Sequence, residues 1–178
     1  MASLFVTGFS QWLHHFDKTG SKLAQAFTRA FQLNTFFVAV TPDNQVLAMV
    51  GCPDGAPSLQ LNKYAFIKAL GDIRGRFAYR ILTKFLIDTE YPFEVRPEMG
   101  SIEFVVADRA IQGQGITGRL IEYAMQHRRY SEYVLEVAST NVRAVRLYQR
   151  LGFTEFKRKP ASKRSGVGDY LYLRHVAR

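Results

Sequence analysis

Cysteine is nearly absent from this chain: Cys52 stands alone among 178 residues. No internal disulfide can form, so a buried core must hold the fold, and a reducing, cytoplasmic setting is expected. Long apolar runs are missing too. No stretch approaches the roughly 18 residues that a membrane-spanning helix needs, so no membrane partner is expected. The opening residues MASLFVTGFSQWLHHF lack a basic segment followed by a continuous apolar one, and no secretory leader is expected. Repeats and linker-like segments are likewise absent. Acidic residues are scarce in one region only. Residues 1–108 hold ten Lys/Arg and ten Asp/Glu, whereas residues 109–178 hold fourteen against five, so the whole net charge of +9 lies in the last seventy residues. That asymmetry suits either an anionic partner or a solubilising surface. What is present is ordinary for a globular protein. With 47% hydrophobic and 22% charged residues, the chain has enough apolar material for one domain over residues 1–178.

Local patterns give a mixed α/β order. Leu4 to Thr7 reads as a short strand. Trp12, Leu13 and Phe16 share a helical face, as do Leu23, Phe27, Ala30 and Phe31, with Ser21 as an N-cap. TFFVAV and VLAMVGC flank the turn signal TPDNQ and predict a hairpin over 35–52. Helical spacing covers 59–70 and 74–88, where Phe77, Ile81 and Phe85 follow one another at i+4 steps. SIEFVVA, YVLEVAS, FTEFKR and DYLYLRHV read as strands, and GRLIEYAMQHRR and VRAVRLYQR as helices. Gly152 stands where a helix-ending glycine belongs.

The stretch QGQGITGRL contains Gly113-x-Gly115-x-x-Gly118, the spacing of a dinucleotide-binding turn. Its surroundings speak against that reading. Six residues separate Val106 from Gly113, where a Rossmann turn follows its strand almost at once. Glu136 lies inside its strand rather than at the end, and too little chain follows to build the remaining βα units. The physical content of the turn survives. N–H groups at a helix N-terminus, bared by glycines, form a cradle for phosphate.

Gln112 to Thr117 resembles the acetyl-CoA loop of the GNAT superfamily of N-acetyltransferases, R/Q-x-x-G-x-G/A, with Thr117 where Gly or Ala is usual. The second signature of that family, N-x-x-A-x-x-L-Y-x-x-x-G-F, is met at every fixed position by NVRAVRLYQRLGF, Asn141 to Phe153. The resemblance implies a GNAT acyltransferase fold: an α/β (α+β) mixed sheet of about six or seven strands flanked by helices, its central strands 101–107 and 133–138 splayed. It also implies acetyl-CoA as co-substrate, no metal, and direct transfer to an unidentified primary amine, small molecule or protein, in a ternary complex. A homodimer is compatible with it.

The site residues follow from the same resemblance. The pyrophosphate falls on Gln112, Gly113, Gln114, Gly115, Ile116, Thr117 and Gly118, and the pantetheine arm on the backbone of Val105 and Ala107 and on Asn141, which also suits an N-cap. Arg119, Arg146 and Arg150 are candidates for the remaining phosphate. Tyr148 is the expected acid to the leaving thiolate. An amine near pKa 10.4 must lose a proton before attack, and Glu103 is the candidate base. Strict alternation would put its side chain on the face of Val105 and Ala107. The aromatic residues of the 59–88 helices suit core packing, with a wall of the acceptor pocket as the alternative. The basic loop, with Lys157, Arg158, Lys159, Lys163 and Arg164, lies between the last two strands, often near the acceptor in this family, where it would suit an acidic one. Two alternatives stay open: a nucleic-acid-binding module using the basic C-terminal part, and a domain that holds acetyl-CoA as a regulatory ligand without turnover.

Overall fold

The structure is a computed structural model that describes residues 1–88, 91–161 and 168–177. Three helices open it: α1 (Ala2–Gly8), α2 (Ser10–Leu13) and α3 (Ser21–Phe27). The expected strand at Leu4–Thr7 is therefore helix. A short apolar run has no period of its own. The helix sets Phe5 and Phe9 one turn apart on one face, with ring centroids at 4.8 Å. Ser21 is also not the cap. Gly20, at φ 74°, occupies that position, and the Asp17 carboxylate accepts from the N–H groups of Lys22 (2.8 Å) and Leu23 (3.3 Å).

The hairpin forms as expected, from β1 (Phe36–Val40) and β2 (Val46–Gly51). Two helices follow: α4 (Lys63–Leu70), capped by Asn62, and α5 (Asp72–Leu86). They pack closely at Gly75, where an added Cβ would lie 2.5 Å from Ile67 Cα. The predicted strand 101–107 is divided into β3 (Met99–Ser101) and β4 (Glu103–Ala107). Then come α6 (Ile116–Arg128), β5 (Glu132–Ala138), α7 (Val142–Arg150), β6 (Thr154–Pro160) and β7 (Asp169–Val176).

The seven strands make two sheets, β1-β2-β4 and β3-β5-β7-β6. Consecutive residues alternate between two cores. Ala48 and Val50 join one that includes Ile121, Leu135 and Phe153, while Met49 joins the other, built on Phe5, Phe27, Phe31 and Phe66. α6 packs on one face of the β1-β2-β4 sheet and α1 on the other, and β4 and β5 are not paired with each other.

Candidate active site

The two sheets share one length of chain. Ser101 pairs with Val134 of β5, and the Ile102 N–H still donates to Val134 O (2.9 Å). One residue later the chain has turned to β2, and β4 pairs with β2 alone. The Asp108 N–H donates to Leu47 O (2.7 Å), so by alternation the N–H and C=O groups of Ala107 and Val105 point away from β2, into the gap. Those are the two residues expected to offer backbone to a ligand.

The turn is made by a bulge. Met49 pairs with Val106 and Gly51 with Glu103, two steps on β2 against three on β4, and Phe104 carries the extra residue at φ 48°. A left-handed phenylalanine is costly. Its ring packs at 5.7 Å from Phe5 and 6.4 Å from Phe36, which holds it there. The bulge overturns the expected parity of Glu103. Ile102, Val105 and Ala107 pack into one core and Phe104 and Val106 into the other, so Glu103 does not share the face of Val105 and Ala107. Its carboxylate turns to two hydroxyls instead, accepting from Ser58 Oγ (2.8 Å) and Ser101 Oγ (2.6 Å). It still lines the cleft.

The gap opens a cleft of about 1270 Å³. At one end stands the glycine turn. Gly113 (φ 84°) and Gly115 (φ 74°) are left-handed, and an added Cβ at either would meet nothing within 4 Å, so the loop bares its backbone. Gly115 is the N-cap of α6 with no side-chain cap, which leaves the first N–H groups of the helix to an outside acceptor. Gln112, Gly113, Gly115, Thr117 and Gly118 line the cleft. The side chains of Gln114 and Ile116 do not: Gln114 donates to Ala110 O (2.9 Å), and Ile116 packs on the core. Of the candidate phosphate ligands, Arg146 and Arg150 line the cleft and Arg119 does not. Arg143, missed in the sequence, joins them. It donates to Gln112 Oε1 (2.5 Å), which leaves the Gln112 amide N–H groups to face an anion.

Asn141 does what a cap does, accepting from the Ala144 N–H (3.2 Å), and it also borders the cleft. Tyr148, on α7, is 7% exposed, rests on Phe153 and lines the cleft. Burial pushes its phenol above the usual value, so at neutral pH it is a donor.

Glu136 is the residue whose place sequence reasoning did not find. It is exposed on β5 and lines the cleft beside Tyr91 and Tyr170. Tyr172, 2% exposed, is its register partner on β7; burial first, then hydrogen bonding and charge from Glu136, push the Tyr172 phenol upward. The signal was there, an acid flanked by Leu135 and Val137 inside an apolar run, but which strand edge stays unpaired is a tertiary fact.

The basic loop falls differently. Lys157, Arg158 and Lys159 lie on β6, the edge strand, where Arg158 pairs with Glu155 (2.8 Å) and Asp169 (3.1 Å), and none lines the cleft. Lys163 and Arg164 lie outside the described residues. Among the described residues no helix is long and apolar enough to cross a membrane, and no His/Cys/Asp/Glu group could hold a metal.

Residues 9–153 match the family model described as acetyltransferase (GNAT) family. N-alpha-acetyltransferase 30 of Dictyostelium discoideum is 38% identical over 64 residues, 34% of this chain and 35% of that protein, so the match spans about a third of the curated relative. In fold the chain resembles an N-acetyltransferase from Staphylococcus aureus Mu50, with a TM-score of 0.61 and 16% identity over 98% of this chain and 92% of that one. It also resembles a GNAT superfamily phosphinothricin acetyltransferase from Sinorhizobium meliloti in complex with acetyl-CoA, with a TM-score of 0.50 and 12% identity over 79% of this chain and 60% of that one. The model match covers most of the chain, both signatures included, and this protein belongs to the GNAT acetyltransferase family.

Proposed function

We propose that the chain transfers the acetyl group of acetyl-CoA directly to a primary amine. The observation that carries this reading is the open gap between β4 and β5, which leads from bare helix N–H groups at one end to the Tyr148 phenol. The N–H groups of 113–118 and the Gln112 amide receive the pyrophosphate, with Arg143, Arg146 and Arg150 available to the further phosphate. Val105 and Ala107 offer backbone groups to the pantetheine amides as a neighbouring strand would, and the Asn141 amide lies beside the same path. The thioester supplies the acetyl carbon. Glu103, directly or through water, takes one proton from the acceptor ammonium, and the freed amine attacks. Tyr148 donates its proton to the sulfur as the C–S bond breaks, and the second proton of the attacking nitrogen restores the phenol through water. The proton held by Glu103 leaves to solvent, so the products are an N-acetyl amine and free CoA. The buried, unpaired thiol of Cys52 suits a reducing, cytoplasmic setting.

Saturating acetyl-CoA is expected to raise the melting temperature, and NADP is not. Gly115→Glu places a carboxylate where the phosphate lies, in space that is empty in the parent, and should abolish the shift while the variant still folds. A variant that folds and keeps the full shift would move the pyrophosphate elsewhere. Nucleic-acid binding has less support, because among the described residues Phe153 and Tyr172 are buried and Phe156, the aromatic residue beside the β6 cations, is half-buried against Phe93 and Arg174. Release of CoA that depends on an added amine separates turnover from regulatory binding.

A further inference from the structure

The cleft is polarised along its length. Among the described residues lining it, the cationic side chains, Arg143, Arg146 and Arg150, lie on α7 beside the glycine turn, and the two carboxylates, Glu103 and Glu136, lie on the strands. Much of the remaining lining among the described residues is aromatic and apolar. It includes Phe9 and Trp12, stacked at 5.9 Å, together with Tyr91 and Tyr170. Both carboxylates line the same cleft as the half-buried Tyr91, whose phenol burial and then the charges of Glu103 and Glu136 push upward. A second observation marks this stretch as a place for a ligand. The Tyr148 hydroxyl, on a residue 93% buried by its 7% exposure, borders the cleft and has no hydrogen-bond partner among the described residues.

Resting on the acetyl-transfer reading, we infer that the acceptor is a dication: a primary amine with a second positive group a few bonds away, held at Glu136 against the aromatic wall. One carboxylate is enough to receive the proton of the reacting ammonium. The other, Glu136, lines the cleft with Tyr91 and Tyr170 and pairs in register with Tyr172. A second ammonium neutralises it and lies over ring faces that attract cations. A carboxylate-bearing acceptor would instead meet two like charges, which selects against it more strongly than any lost contact. The aromatic wall supplies apolar surface for the methylenes between the two nitrogens. The basic residues of β6, which would have favoured an acidic acceptor, lie off this cleft.

Three acceptors of equal length isolate the charge of the far end: 1,5-diaminopentane, pentylamine and 5-aminopentanoate. With acetyl-CoA saturating, CoA release should give kcat/KM for the diamine about tenfold above pentylamine, the scale of one hydrogen-bonded ion pair, with aminopentanoate lowest. The diamine advantage should shrink as salt rises from 0.05 to 0.5 M, and Glu136→Gln should bring the diamine-to-pentylamine ratio down to about two, the statistical factor of its two equivalent amines. Thermal shifts of the CoA-bound protein with the same three compounds should follow the same order, a readout independent of turnover. Equal responses to all three amines alongside a clear acetyl-CoA shift would sink this inference and leave the acetyl-transfer reading intact. So would a diamine advantage above the statistical factor that persists in Glu136→Gln. Absence of any acetyl-CoA shift would overturn the acetyl-transfer reading, and this one with it.

Discussion

Removing one oxygen tests the chemistry in the cleft. Tyr148→Phe keeps a ring that is 7% exposed and its edge contact with Phe153, whose centroid lies 6.0 Å away. The lost hydroxyl has no hydrogen-bond partner among the described residues, so nothing is orphaned, and stability should change by less than about 1 kcal/mol. The rate is another matter. A positioned acid is worth roughly 10² to 10⁴, or about 2.7 to 5.4 kcal/mol of barrier, and kcat should fall within that range. The Michaelis constant for acetyl-CoA should move less than about threefold, because the phenol meets the sulfur most strongly as the bond breaks. The pH profile adds a constraint. Burial raises the phenol above its free value near 10, so folding favours the neutral form; the stability this contributes is whole below about pH 10 and is lost as pH rises beyond it. The parent should therefore show no loss of rate from this group between pH 7 and 9. The assay is CoA release in steady state, with a pre-steady-state trace showing that chemistry limits the rate. A phenylalanine variant within threefold of the parent under those conditions would make Tyr148 a packing residue.

Two further outcomes are expected. Gly75→Ala gains about 1 kcal/mol of helix propensity but sets a methyl 2.5 Å from Ile67 Cα and 2.6 Å from Phe66 O, backbone atoms that cannot step aside. A clash costing about 3 kcal/mol wins, and thermal denaturation should show a fall of roughly 4–8 °C; an unchanged or higher melting temperature would mean that α4 and α5 are not in contact there. Burial pushes the Cys52 thiol up to about 12, against the nearby Arg128 charge. Iodoacetamide at pH 8 should leave the native thiol unmodified over minutes and label one equivalent after unfolding in guanidinium, and rapid labelling of the native protein would contradict its burial.

The glycine turn, α7 and the last two strands were legible because local chemistry decides them: a left-handed Gly115, an Asn141 cap, a strong helical period. The front of the site was not. Phe104 takes a left-handed bulge that no glycine announces, and the rings fixing it belong to residues as far away as Phe5. Alternation read through that point put Glu103 on the wrong face, and its partner Ser58 lies 45 positions away. Arg143 and Glu136 look like surface charges in the sequence. They become site residues only because β5 pairs with β3 and β7 and leaves β4 to β2.

An unpaired strand edge is ordinarily an aggregation hazard, since any extended chain can add to it. Here the inward edge of β4 lies inside a cleft whose far wall is a second sheet, α7 and a row of aromatic residues. A neighbouring sheet, about 10 Å thick with its side chains, cannot follow a slim thread into such a slot. The walls thus act as a gauge. They protect the bare backbone from other proteins and leave it free for a narrow, unbranched chain carrying amides of its own.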